Sequence, residues 1–254
     1  ARLEAMAAPR AKIEERAKAR FENDQAEYEG KLARREAKAK ESGKKPGGKP
    51  PKPPTAGPKA QDQLNLTDEE SRIMPLAGGG FEQAYNAQAA VDTGSLLVVA
   101  LGVTQACNDK EQGVPMLEQL ATLPKSLGQA KQLLADTGFY SARNAGACEA
   151  RGIDPFIAVK RDEHHPAPHE RFTEPAALAA EATPAQAMAH KLKTNASRAL
   201  YALRKQTVEP VFGIIKSVLG FRQFSLRGLK KVTGEWTLVC LAWNLKRMAV
   251  VRLA

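Results

Sequence analysis

With 254 residues, 43% of them hydrophobic, the chain can bury one sizeable core, while 26% charged residues keep much of its surface in water. A formal charge of +10 selects a polyanionic partner, nucleic acid before a membrane surface, because no segment carries a broad apolar face. Three widely spaced cysteines without a CxxC pair exclude a disulfide framework and a zinc knuckle and suit a reducing cytoplasm, and the lack of a run of eighteen apolar residues or a signal pattern argues against a membrane span or secretion.

Residues 1–42 predict a charged helical extension. Nearly every second residue from Arg2 to Lys40 is charged, and Ile13, Ala17, Phe21, Tyr28 and Leu32 fall on one narrow helical stripe. Such a helix is either solvated or paired with another helix of this chain or of a second subunit. Residues 43–60 are rich in Pro, Gly and Lys and predict a mobile basic linker. The chain opens on Ala1 rather than Met, the pattern of a C-terminal fragment of a longer protein.

Residues 61–254 predict the globular domain. QLNLTD (63–68), FEQAYNAQAAV (81–91) and LLVVALGVTQ (96–105) have strand character, with Asp92-Thr93-Gly94 as the hairpin turn between the last two. A helix over 111–121, a buried strand at 131–136, a helix ending at Gly152 and a strand from Pro155 follow. The order β-β-β-α-β-α-β needs the later strands parallel to the first, which gives a mixed α/β sheet flanked by helices in ribonuclease-H-like order. Residues 162–197 lose strand character and predict an insertion. The segment 198–219 is an amphipathic helix that Pro210 should kink or restart, and a last helix over about 228–251 carries core residues including Trp236 and Trp243.

Three carboxylates stand out. Asp136 ends an apolar strand, where it serves either as a metal ligand at a sheet edge or as a turn cap. Asp68 ends the first expected strand, adjacent and parallel to the one ending at Asp136, so both side chains reach one edge; Asp92 lies in a hairpin turn at the other end and has an adequate structural role. Glu209 shares a helical face with Tyr201, Lys205 and Lys216, either as part of a metal and phosphate site or as the i+4 partner of Lys205. Converging carboxylates suit hard divalent ions, which supply the charge that phosphodiester chemistry needs. Arg204, Lys216, Arg222, Arg227, Lys230 and Lys231 form a basic cluster fit for a DNA backbone.

From about Leu64 to Met248 the chain resembles bacterial insertion-sequence DDE transposases with a Tyr-Arg-Glu-Lys signature. The resemblance rests on NLTDEESRIM, GGGFEQAYNAQAAVD, LLADTGFYSARNAGACEARGIDPFIAVKR and the long stretch from Tyr201 to Met248. It implies a catalytic, metal-binding triad of Asp68, Asp136 and Glu209. It also implies Mg²⁺ as cofactor with Mn²⁺ as substitute, transposon ends and target DNA as partners, and a homodimer on DNA. The signature maps to Tyr201, Arg204, Glu209 and Lys216, and the DNA-binding positions it implies are Tyr201, Arg204, Lys205 and Lys216. Four residues separate Arg204 from Glu209 where the signature has three, so Lys205 is an alternative for the arginine.

Weaker motifs have plainer explanations. His164, His165 and His169 suit a polar insertion loop better than a metal site. Gly78-Gly79-Gly80 lacks the Lys-Ser or Lys-Thr of a nucleotide loop and reads as a turn.

Overall fold

The computed structural model describes residues 2–43, 47–76, 78–160 and 173–251 and divides the chain into two compact units, Ala1–Glu69 and Glu70–Ala254. In the first unit, α1 (Arg2–Ser42) is a single helix whose expected stripe is its less exposed face, with Ala17 1% exposed. Spaced Glu and Lys or Arg partners, such as Glu27 with Lys31, support its outer face. The Pro-rich segment expected as a free linker instead runs back along the helix. Arg35 donates to the carbonyls of Gly47 and Gly48, and Arg20 grips Asp62 through two nitrogens at 2.7 and 2.9 Å and the Gly57 carbonyl at 3.2 Å.

The second unit is mixed α/β. Among the described residues its strands form three pairs: β1 (Arg72–Pro75) antiparallel to β2 (Phe81–Ala84), β3 (Asn86–Val91) antiparallel to β4 (Val98–Thr104), and β5 (Gln132–Ala135) parallel to β6 (Asp154–Ile157). The expected second strand is therefore two short ones, separated at Tyr85. The β1–β2 turn uses Gly79 and Gly80 at φ 89° and 84°, a conformation only glycine adopts freely. Asp92 accepts the backbone N–H and hydroxyl of Ser95 at 2.7 Å each and closes the β3–β4 turn, as its sequence context predicts.

The expected strand over 63–68 does not form. Its backbone is irregular, and the Asn65 side chain accepts the Thr67 N–H at 2.9 Å, a local turn that competes with strand pairing. The first strand begins only at Arg72, so Asp68 ends no strand and lies in the first unit.

Among the described residues five α-helices complete the second unit. α2 (Gly113–Ala121) and α3 (Ala142–Glu149) connect the strands, with Ser141 capping α3 through the Asn144 N–H. α4 (Pro184–Lys191) starts at a Thr183/Gln186 capping box inside the predicted insertion. The motif at 164–169 lies outside the described residues. α5 (Asn195–Ser217) runs unbroken through Pro210, where a kink or restart was expected: the second unit buries Thr207, Val211 and Ile215 on its core face, and that contact outweighs one lost backbone bond.

α6 (Leu229–Val251) holds the hairpin. Trp236 donates its indole N–H to the Gln88 carbonyl at 2.9 Å, Trp243 to the Leu96 carbonyl at 2.8 Å, and Arg247 to the Ser95 carbonyl at 2.7 Å. Val98, Val211, Ile215, Trp236, Cys240 and Trp243 form the main core, where each fully buried Val or Ile contributes about 1.5–3 kcal/mol. A second cluster of Leu117, Cys148 and Ile153 joins α2 and α3 to the parallel pair.

Candidate active site

Asp136 follows β5 directly and caps a short 3₁₀ turn, accepting the Gly138 N–H at Oδ1 over 2.9 Å. The cap role foreseen for it is real, yet the carboxylate is only half-buried and it lines a groove of about 660 Å³ together with Gln88, Arg204 and Thr207. A second carboxylate converges on it. Asp109, just before α2, accepts the side-chain amides of Asn86 and Gln88 at Oδ1, both at 2.7 Å. Its Oδ2 turns towards Gly138: a Cβ there would lie 3.0 Å from that atom and 3.1 Å from Asp136 Oδ1.

The two loops that carry these carboxylates are tied together. Asn144, 1% exposed, donates from Nδ2 to the Lys110 carbonyl at 2.8 Å and to the Phe139 carbonyl at 2.7 Å. Gly113 makes room for this side chain, since a Cβ at 113 would fall 2.7 Å from it.

α5 supplies the cationic wall. Tyr201 donates its hydroxyl to the Ala135 carbonyl at 3.0 Å, so it braces the strand end that presents Asp136. Arg204, one turn on, lies 5.8 Å from the Tyr201 ring centroid, pairs with Glu209 at 3.1 Å and has a buried Nε without a partner. The ion pair foreseen between Lys205 and Glu209 is thus made by Arg204, and Lys205 is exposed. Glu209 and Lys216 are also exposed and do not line the groove.

Of the residues singled out from sequence, Asp136, Tyr201 and Arg204 meet around the end of β5, Glu209 is linked to them through Arg204, and Lys205 and Lys216 stay on the surface of α5. Asp109, Asn86, Gln88 and Asn144 were missed. Their signal was present: two polar residues at positions i and i+2 of an otherwise apolar strand, and an Asn-Asp pair between a strand and a helix.

Among the described residues no three His, Cys, Asp or Glu side chains stand close enough together to hold a metal ion. The Asp109 and Asp136 pair would offer two carboxylates to a divalent ion, with water and phosphate oxygens completing its shell. A two-ion site needs at least one carboxylate more.

A family model described as a transposase DDE domain matches residues 56–245. Searches among curated proteins and among solved structures return no match. Transposases of this kind cleave DNA and generally use divalent metal ions, and the acidic end of β5 beside a cationic helix is chemically suited to that work. The chain belongs to the transposase DDE domain family.

Proposed function

We propose that the chain is the catalytic part of an insertion-sequence transposase, with a ribonuclease-H-like arrangement of its second unit. It cuts DNA at the ends of a mobile element and joins the freed 3′-hydroxyl to target DNA by in-line displacement at phosphorus. The observation that carries the proposal is the convergence of Asp136 and Asp109 on Gly138, beside the Arg204 wall of the groove.

Asp136, Asp68 and Glu209 are the proposed triad, and Asp109 is a further ligand suggested by its position. Asp109 and Asp136 would hold Mg²⁺, or Mn²⁺ in its place. When bound, such an ion supplies charge that activates the attacking oxygen and offsets the leaving alkoxide. Arg204 orients a phosphate through a planar, permanently charged donor set, and Lys205 and Lys216 on the same helix attract the backbone without reading sequence. Tyr201 fixes the height of α5 over the end of β5.

Nicking of supercoiled plasmid in Mg²⁺ or Mn²⁺ tests the proposal, with Asp68→Ala, Asp92→Ala, Asp109→Ala, Asp136→Ala and Glu209→Ala beside the parent chain. Activity should require Asp136, Asp68 and Glu209 and survive Asp92→Ala. Joining of a 3′-hydroxyl oligonucleotide separates a transposase from a nuclease that only cuts. A second reading, a DNA-binding remnant without catalysis, is favoured by the lack of a three-carboxylate cluster among the described residues. It predicts salt-dependent DNA binding by the parent chain with no cleavage in either metal.

A further inference from the structure

α6 is apolar on two opposite sides, and the core uses one of them. Val232, Trp236, Cys240 and Trp243 are at most 4% exposed and pack inward, while Asn244 and Arg247 beside them bond the backbone of the β3–β4 hairpin. The other side faces water. On it Leu238 is 67% exposed, Leu241 49%, Leu245 56% and Met248 45%. A helix that is apolar all round is normally buried all round, and scattered surface leucines are ordinary where a contiguous apolar patch is not.

This outer face is almost free of charge. Gly234, Thr237, Ala242 and Ala249 are exposed and complete it, and a Cβ at Gly234 would meet nothing within 4 Å, so the face is open at that end. Of the charged residues between 234 and 249, Glu235 and Arg247 turn to the body of the unit, where they bond backbone groups of Ser225, Leu226 and Ser95. Lys246 stands at the margin of the face. Neither a polyanion nor an acidic peptide finds a partner there.

The spacing selects a helix as the occupant. Gly234, Leu238, Leu241, Leu245 and Met248 follow one another at four, three, four and three residues, the repeat by which one helix packs lengthwise along another. The inward stripe of Val232, Trp236, Cys240 and Trp243 is separate from it, so the fold of the unit does not consume this repeat.

A second copy of α6 supplies a matching face. Turned antiparallel about a two-fold axis level with residue 243, Leu241 of one copy meets Leu245 of the other and Leu238 meets Met248, each pair occurring twice. A parallel arrangement would set Lys230, Lys231 and Lys246 against their own images. The antiparallel one brings the two lysines at the start of each helix towards the C-terminal carbonyls of the other, where a cation is favoured. Each face offers about 500 Å² of mostly apolar surface, so a pair buries about 1,000 Å², the lower bound of a specific interface.

We infer that two copies of the chain associate through the outer faces of α6, antiparallel and without DNA. The pairing goes beyond the function proposed above and needs neither metal nor nucleic acid. An interface at the lower bound of area makes a reversible dimer, with a Kd on the order of 10 µM.

Sedimentation velocity of the 254-residue chain, without DNA or divalent ions, tests the pairing. From about 1 to about 200 µM the parent should pass from monomer to dimer. Leu241→Glu and Leu245→Lys should each weaken association at least about a hundredfold, since each buries two unpaired charges in the pair. Mixed in equal amounts, the two variants should associate again to within about tenfold of the parent, because the new carboxylate and ammonium meet in one layer while a Leu245 and a Leu241 keep the other. Both positions are exposed, so each variant should melt at the temperature of the monomeric parent, which confirms that it is folded. A parent chain that stays monomeric throughout overturns the pairing, and a dimer indifferent to both substitutions overturns α6 as its seat. Variants that are monomeric both alone and mixed overturn the antiparallel arrangement.

Discussion

Asp109 and Asp136 approach one another across a single glycine, Gly138, whose Cα leaves no room for a side chain between Asp109 Oδ2 and Asp136 Oδ1. Two neighbouring carboxylates repel unless a cation or a network of donors holds them. Gly138→Ala would press a methyl group against both oxygens at 3.0 and 3.1 Å. Its φ is not in the left-handed region, so the backbone tolerates alanine. Metal-dependent nicking should fall at least about tenfold, equivalent to about 1.4 kcal/mol in the transition state, with the melting temperature nearly unchanged. Wild-type nicking by this variant would remove Gly138 and the carboxylate pair from the site.

Asn144 is the tie behind that pair. Its Nδ2 serves two carbonyls at once, one after Asp109 and one after Asp136, and Asn144→Ala leaves both carbonyls without that donor. Two lost, partly buried hydrogen bonds cost about 1–3 kcal/mol in stability. Thermal unfolding should show the loss directly. If nicking measured well below the melting transition falls too, the tie positions the carboxylates; if it is unchanged, Asn144 serves the fold alone.

Much of this site was legible because short-range chemistry decides it. Four strand residues followed by Asp-Thr-Gly place Asp136 at a strand end, and Asp92 before Thr-Gly is used in the hairpin turn its context suggests. Other parts depend on distant partners. The 63–68 segment alternates like a strand, but the Asn65 side chain takes the Thr67 N–H, and among the described residues no strand pairs with it. Pro210 breaks a helix by local rules, yet α5 continues because Val211 and Ile215 are held in the core. Asp109 resembles any turn aspartate until Asn86 and Gln88, more than twenty positions away, are seen to grip it.

The three cysteines should differ sharply in reactivity. Burial pushes the Cys148 thiol up to about 11 and the Cys240 thiol to about 12, while Cys107 is exposed. The thiolate is the nucleophile, so at pH 8 the two buried groups are almost wholly protonated as well as shielded. One equivalent of a disulfide reagent should react with the native chain, rising to three in denaturant. Rapid modification of three thiols under native conditions would contradict the core built around Cys240.

Gly228 tests the start of α6. It stands at φ 82°, and a Cβ there would lie 3.0 Å from Glu70 Oε2, the oxygen that accepts the Leu229 N–H at 2.8 Å. Gly228→Ala adds left-handed backbone strain of about 1–2 kcal/mol and pushes on this cap. The variant should melt several degrees lower, and Glu70→Gln, which keeps an acceptor but loses the charge at the helix N-terminus, should lose less. Equal melting temperatures for Gly228→Ala and the parent would mean that the turn relaxes at no cost.

Acid should release the return segment from α1 before the second unit unfolds. The Arg20 guanidinium bonded to Asp62, with help from the Lys59 N–H, holds the Asp62 carboxyl below its ordinary value of 3.8. A depressed folded pKa contributes stability that is complete above the unfolded value and disappears as pH falls through the folded one. The window is therefore below about pH 4, and the contribution is about 1 kcal/mol for a partly exposed, bidentate pair. Arg20→Ala removes the partner, so its unit should show less acid dependence and be weaker already at pH 7. Proteolysis of the 47–62 stretch, followed from pH 7 to pH 3, reads this directly: the parent chain should become sensitive only at the acid end, and the variant at every pH. If the two are cut alike at pH 7, the Arg20 to Asp62 pair does not hold the segment, and the Arg35 contacts to Gly47 and Gly48 must do so instead.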